Sequence, residues 1–488
     1  MDYKEEIQKL VEEIKAQGYE NVCMWMPAYN LGGGSAFLRF AKYLVENTDL
    51  TVYYMDYKDG YLEYLLKQEP RIKFLHYSED MTTFPVKEKC IIITNSTRVV
   101  QMPQMNPENK LLFWHWETVP CAWSIVLIDN EVKKYLKLTK DNHAMVYHDW
   151  SAKDSLNRYQ HIGFNNNDYL PLTLYPKICE CKKGLINDDE INLCFLSRLA
   201  PDKKNSLYYL TENFAKYKTS KKKRLHIIGD GVSADEVKNF CEDYKKEIEF
   251  IFYGTVARED LDNYLINNVD ILFAVGTSVL EGASLKLPSV VLLMDNKYIN
   301  DDEAFWIYNT KEYCMGILTS EKDDFGVQYT IFDKIIDSVY KETNGKETEG
   351  QKCYEYYLNN HSSFDNTVCF LLKFFKQTEL TYKKLKKCIK YTPYLKLELT
   401  KTKLLGLNLI KKSTHLNKTK IYFLNIPIYK KVICGGKTKK YFLGIPCYKT
   451  IQDKNTTNHY IFGLKLAKSK RMICWRPIAS AFKDKKRG

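Results

Sequence analysis

The chain has 488 residues, 45% hydrophobic and 27% charged, too long for one ordinary core, and no stretch approaches the ~18 uninterrupted apolar residues of a membrane span. Its net charge of +13 conceals a division: from Lys383 onward 28 Lys and Arg face 3 acids, whereas the remainder holds 45 basic and 57 acidic residues. A mildly acidic body therefore carries a strongly basic tail, and the tail calls for an anionic partner, either a membrane surface or a nucleic acid.

The 14 Cys are scattered, with Cys179 and Cys181 at a spacing wrong for a zinc knuckle, and read as reduced thiols filling cores. Met1 to Glu6 lacks the apolar run of a signal peptide, so the expected location is the cytoplasm.

In chain order, a charged helix (3–17) precedes the buried strand Asn21 to Met26, then a Gly-rich turn at Gly32-Gly33-Gly34-Ser35 and a helix from Ala36 to Glu46. Strands follow at 51–55, 72–76, 90–94 and 111–114. The pattern restarts with strands at 191–196, 224–228, 248–252, 270–274 and 289–294, separated by helices at 206–217, 234–246 and 258–267. Alternation of this kind predicts an α/β protein with two doubly wound parallel sheets. One long helical stretch from about Glu349 to Gln377 closes the body. The expected domains are 1–175, 176–382 and the tail 383–488.

The tail repeats every 19 residues, at Gly406, Asn425, Gly444 and Gly463. Each copy is a short aromatic and β-branched run with Lys at both ends, which predicts strands bent or bulged at the central Gly or Asn, stacked as an array.

The segment Gly276-Thr277-Ser278-Val279-Leu280-Glu281-Gly282-Ala283-Ser284 lies where a strand ends and a helix begins, the edge where open parallel sheets bind ligands. Backbone N–H groups and hydroxyls of Gly276, Thr277 and Ser278 suit a phosphate, and Glu281 suits a vicinal diol. Simple helix capping is the competing reading. Continued to Val291, the segment resembles the donor helix of GT-B nucleotide-sugar transferases (glycosyltransferase group 1, family 4-like) of the bacterial surface-polysaccharide type. In that family a Glu at the position of Glu281 binds the ribose. The family's preceding Glu is replaced here by Phe273, so the resemblance leaves the stereochemical outcome open.

Three further segments match in order. Arg198, followed by Lys203 and Lys204, corresponds to the family's cations on the donor diphosphate, where negative charge develops on the leaving group. Gly229 and Gly231 match a turn near the nucleotide, although taken alone they read first as a structural turn. Val256 follows a strand-Gly segment beside the base. In the first half, Gly33 and Gly34 resemble the family's Gly-rich loop; consecutive glycines and Phe37 argue against a dinucleotide fingerprint.

His115 and Glu117, at the end of a strand flanked by Trp114 and Trp116, are the expected catalytic pair, with Glu117 placed to take a proton from an acceptor hydroxyl. His148 and Asp149 form a second such cluster. The sole Asp-x-Asp, at Asp260 and Asp262, is expected on a solvated helix face, and neither metal nor cofactor is implied.

The resemblance implies glycosyl transfer from a nucleotide-sugar donor to a glycan or lipid-linked acceptor in polysaccharide or lipopolysaccharide synthesis. The alternatives are a catalytically degenerate GT-B module recruited through its tail, and a nucleotide-sugar epimerase. For the tail, the ordered repeat favours an anionic membrane surface over nucleic acid, making the protein peripheral on the inner face of the membrane.

Overall fold

The computed structural model describes residues 3–27, 31–58, 61–66, 68–78, 81–116, 129–177, 184–256 and 258–388, together with strands between 398 and 470. The chain divides into two compact units, one of Met1–Ile14, Trp114–Val119 and Met145–Lys376, the other of Lys15–Phe113, Pro120–Ala144 and Gln377–Gly488. Among the described residues no helix is long and apolar enough to cross a membrane.

The first sheet contains β1 (Asn21–Trp25), β2 (Thr51–Tyr57), β3 (Lys73–Tyr77), β4 (Cys90–Asn95), β5 (Lys110–His115) and β6 (Met145–Tyr147), in the order β3-β2-β1-β4-β5-β6. β1 pairs in parallel with both β2 and β4. All six residues of β4 are buried, as a central parallel strand covered on both faces requires. The glycines expected to form a loop instead lie in the first turn of the helix Leu31–Asn47. The apolar spacing of Phe37, Phe40, Ala41 and Leu44 continues a helix that begins five residues earlier than expected, despite the low helix propensity of Gly.

The second sheet holds β7 (Glu190–Leu196), β8 (Lys222–Ile228), β9 (Glu249–Gly254), β10 (Ile271–Ala274), β11 (Ser289–Val291), β12 (Glu303–Trp306) and β13 (Thr330–Ile331). Its order is β13-β12-β11-β10-β7-β8-β9. The sheet is not wholly parallel: β12 runs antiparallel to β11, and β13 to β12. The expected single closing helix is two, Gly345–His361 and Phe364–Gln377. The break falls at Ser362 and Ser363, where Ser363 Oγ accepts from Asn366 N at 3.2 Å, a local bond that competes with helix continuation.

A buried polar knot ties this sheet to its helices. Asp270, the residue before β10, accepts from Lys346 Nζ (2.8 Å), Ile186 N (2.9 Å), Tyr340 Oη (2.8 Å) and Asn192 Nδ2 (3.1 Å). A carboxylate removed from water is tolerable only when paired and hydrogen-bonded in this way.

The tail forms a third sheet of eight antiparallel strands in sequence order: β14 (Glu398–Leu404), β15 (Leu407–His415), β16 (Lys418–Phe423), β17 (Ile426–Cys434), β18 (Lys437–Phe442), β19 (Ile445–Asp453), β20 (Thr456–Ile461) and β21 (Leu464–Lys470). The register shifts between Thr402 and Lys403, Ile421 and Tyr422, Lys440 and Tyr441, and His459 and Tyr460, once per 19-residue repeat. Gly406, Asn425, Gly444 and Gly463, where the bends were expected, lie outside the described residues.

Candidate functional site

β7, β8, β9 and β10 run parallel, so their carboxyl ends share one edge of the second sheet. The chain steps from β7 to β8 to β9 on one side and then lays β10 on the other. Open α/β sheets bind ligands at this kind of reversal, here between the segments that leave β7 and β10.

The segments beyond that edge are stitched together through their backbones. Leu199 N donates to Asp230 O (3.0 Å), Ser233 N to Leu199 O (3.0 Å), and Gly229 N to Gly254 O (2.8 Å). Gly229 and Gly231 have φ of +134° and +156°, and a Cβ would stand 2.0 Å from Ser197 O at the first and 2.3 Å from Leu199 O at the second. Both are glycine because two loops approach closely there. Val256 packs on the core cluster around Leu265 and Leu272.

The cations after β7 differ in kind. Arg198 is largely exposed, 3.9 Å from Asp202. Lys204 is paired with Glu236. Lys203 turns inward, its Nζ 3.0 Å from Met294 Sδ, and burial lowers its pKa to about 8.

On the other side of the reversal, Gly276 has φ +75° and its N–H donates to Met315 O at 2.7 Å. That amide is committed within the protein, which corrects the expectation that it is open to a phosphate. Thr277 is exposed, Ser278 is partly buried and begins the helix Ser278–Ala283, and Thr277 makes no side-chain capping bond. Gly282 packs against the sheet, where a Cβ would lie 2.5 Å from Ser289 Oγ.

Glu281 projects from this helix and accepts from Lys177 Nζ at 3.0 Å, and the same ammonium holds Asp262 at 2.6 Å. Asp262 is therefore part of an ion cluster and not the solvated residue expected. Lys177 escaped the sequence reading, since it follows Pro176 with no motif around it. Phe273, at the place of the missing family Glu, is buried in β10 and stacks on Phe332 with ring centroids 5.3 Å apart.

Gly33 and Gly34 sit in the first turn of the Leu31–Asn47 helix, where Gly34 O accepts from the Tyr54 hydroxyl at 3.0 Å. His115 is wholly buried, its Nε2 3.3 Å from Ser155 Oγ, so its ring presents no open surface. Glu117 lies outside the described residues. His148 pairs with Asp149 at 2.9 Å, and Asp149 caps the helix Trp150–Gln160 by accepting from Ala152 N at 2.9 Å.

Residues 180–293, which span β7 to β11, match the model of the family described as glycosyl transferases group 1. This segment is a group 1 glycosyl transferase domain. The group 1 match takes in Arg198, Lys203, Lys204, both glycines after β8, and Glu281. No curated protein matches the chain. Among solved structures, a glycosyltransferase from Rickettsia africae is similar at 14% identity and a TM-score of 0.48, covering 73% of this chain and 98% of its own. The lipopolysaccharide outer core galactosyltransferase WaaB is similar at 13% identity and a TM-score of 0.43, over 71% and 99%. HepE from Anabaena, solved with UDP and glucose, is similar at 10% identity and a TM-score of 0.42, over 72% and 97%.

Proposed function

We propose that the chain transfers a sugar from a nucleotide-sugar donor to a glycan or lipid-linked acceptor in bacterial surface-polysaccharide or lipopolysaccharide synthesis. The observation that carries this reading is the convergence of the group 1 motifs on one strand-order reversal of the second sheet. Arg198 and Lys203 meet the donor diphosphate, with Lys204 at the margin. The glycines after β8 let the backbone come close to the nucleotide, and Val256 borders the base. Thr277 and Ser278 flank the phosphates beside Gly276, while Glu281 leaves Lys177 to accept from the ribose hydroxyls.

Residues 1–175 contribute to the acceptor side, and Gly33 and Gly34 to donor binding. Glu117 is the base for the acceptor hydroxyl, and buried His115 supports it by fixing the strand end. A Glu117→Gln chain that keeps full turnover removes that role. Domain limits of 176–382 and 383–488 complete the reading.

Calorimetry with UDP, GDP, CDP and ADP tests the donor site. One of the four binds the wild-type chain, and Glu281→Ala weakens that binding by about tenfold or more. Absence of binding by all four ends the donor-site reading.

The tail is proposed to rest on an anionic phospholipid surface, which would place the protein on the inner face of the membrane. Supporting this, Lys401 stands opposite Lys411, Lys420 opposite Lys430, and Lys439 opposite Lys449, each pair 19 residues from the next. That register concentrates positive charge along the repeat, which suits an anionic surface. Sedimentation with anionic vesicles that fails at low salt, or matches neutral vesicles, removes the surface.

A further inference from the structure

Within the unit that holds the group 1 domain lies a cavity of about 490 Å³, outside the strand-edge site. Its size is that of a small-ligand pocket. Phe370 and Phe374, one helical turn apart, form an apolar wall. Tyr169, Tyr313 and Tyr356 add rings, and Asn167, Thr310 and Asn360 add polar groups; the hydroxyls of Tyr169, Tyr356 and Thr310 are bonded to Glu312, His361 and Cys314 O within the protein. No Lys or Arg is among the lining residues, and the one carboxylate there, Glu312, is neutralised by Lys153 Nζ at 3.2 Å. That bond and the one from the Tyr169 hydroxyl both fall on Glu312 Oε2.

The backbone at this place is strained. Glu312 and Tyr313 are consecutive non-glycine residues in the left-handed region, with φ of +49° and +61°. Such conformations are unfavourable for residues with a Cβ and persist where the surroundings demand them, often at ligand sites. Here Trp150 N donates to Glu312 O at 3.0 Å and holds the turn. Two residues on, Met315 O takes the N–H of Gly276. One loop thus borders the cavity and supports the donor motif.

We propose that this cavity is a subsite for one neutral sugar unit of the acceptor glycan. Rings stack on the C–H face of a pyranose, and the Tyr313 hydroxyl, the Asn167 and Asn360 amides and the Glu312 carboxylate meet its hydroxyls. An anionic ligand would find no cation on the lining. The acceptor assignment rests on the transfer reading above, whereas the binding of a neutral sugar does not.

The test is saturation-transfer NMR on the full chain, with methyl glucoside, methyl galactoside, N-acetylglucosamine and lactose as probes and glucose 1-phosphate as the charged control. At least one neutral probe gives transfer, and Phe370→Ala and Glu312→Gln each weaken it by about tenfold. Nucleotide binding by Phe370→Ala, measured on the same sample, stays unchanged and reports intact folding. Silence from every neutral probe with the wild-type chain overturns the proposal. So does transfer that both variants leave unchanged, or tighter binding of glucose 1-phosphate than of methyl glucoside. Neutral-sugar binding without any nucleotide binding supports the subsite and removes the donor reading alone.

Discussion

Two side chains give the protein a pH dependence that can be traced to single atoms. Glu321 is buried, and burial raises its pKa to about 7, against the opposing bonds from Leu318 N and Ser151 Oγ, both 2.9 Å. Because its folded value lies above the unfolded one, its contribution is present at pH 4 and is lost as pH rises through 7. The displacement of that pKa corresponds to about 3 kcal/mol. Glu321→Gln is expected to flatten the melting temperature between pH 5 and 8; a wild-type chain with no slope there contradicts the assignment. Lys203 behaves in the opposite sense for binding. Its ammonium, held near 8 by burial, deprotonates in mild alkali. Affinity for the nucleoside diphosphate that binds should fall from pH 7 to 9 in the wild type and stay level in Lys203→Met, as calorimetry at each pH would record.

Among elements, the strand edge depends on how firmly β10 is seated. Asp270 anchors the start of that strand to Lys346, Tyr340 and Asn192. Asp270→Ala leaves a buried ammonium unpaired and should cost about 3–5 kcal/mol in denaturant unfolding; a loss under 1 kcal/mol refutes the knot. Most of this architecture was legible beforehand because central parallel strands read as apolar runs, as Cys90 to Thr94 and Ile191 to Leu196 do. The antiparallel β12 and β13 were not, since Glu303 to Trp306 carries no alternation to distinguish it from a turn. Glycine misled at Gly32 to Gly34, where local propensity yielded to the apolar face of the following helix. At the strand edge, residues with motif neighbours were named as candidates from the sequence. Lys177, Glu312 and Tyr313 were not, because ion pairing across 104 residues and a left-handed backbone leave no local pattern.

At the scale of the molecule, an acidic body with two Rossmann-like sheets continues into a basic sheet built from copies of one hairpin. β15, β17, β19 and β21 begin at Leu407, Ile426, Ile445 and Leu464, so each two-strand step uses 19 residues and one register shift. Each hairpin meets only its neighbours, which makes the sheet nearly one-dimensional. Deleting residues 426–444 therefore joins matching ends and should preserve slow amide exchange in the remaining strands. Deleting 427–444, one residue fewer, exchanges the two faces of everything that follows and should abolish that protection. Evolution can lengthen or shorten this part of the protein, but only by whole hairpins. Its reach is counted in integers.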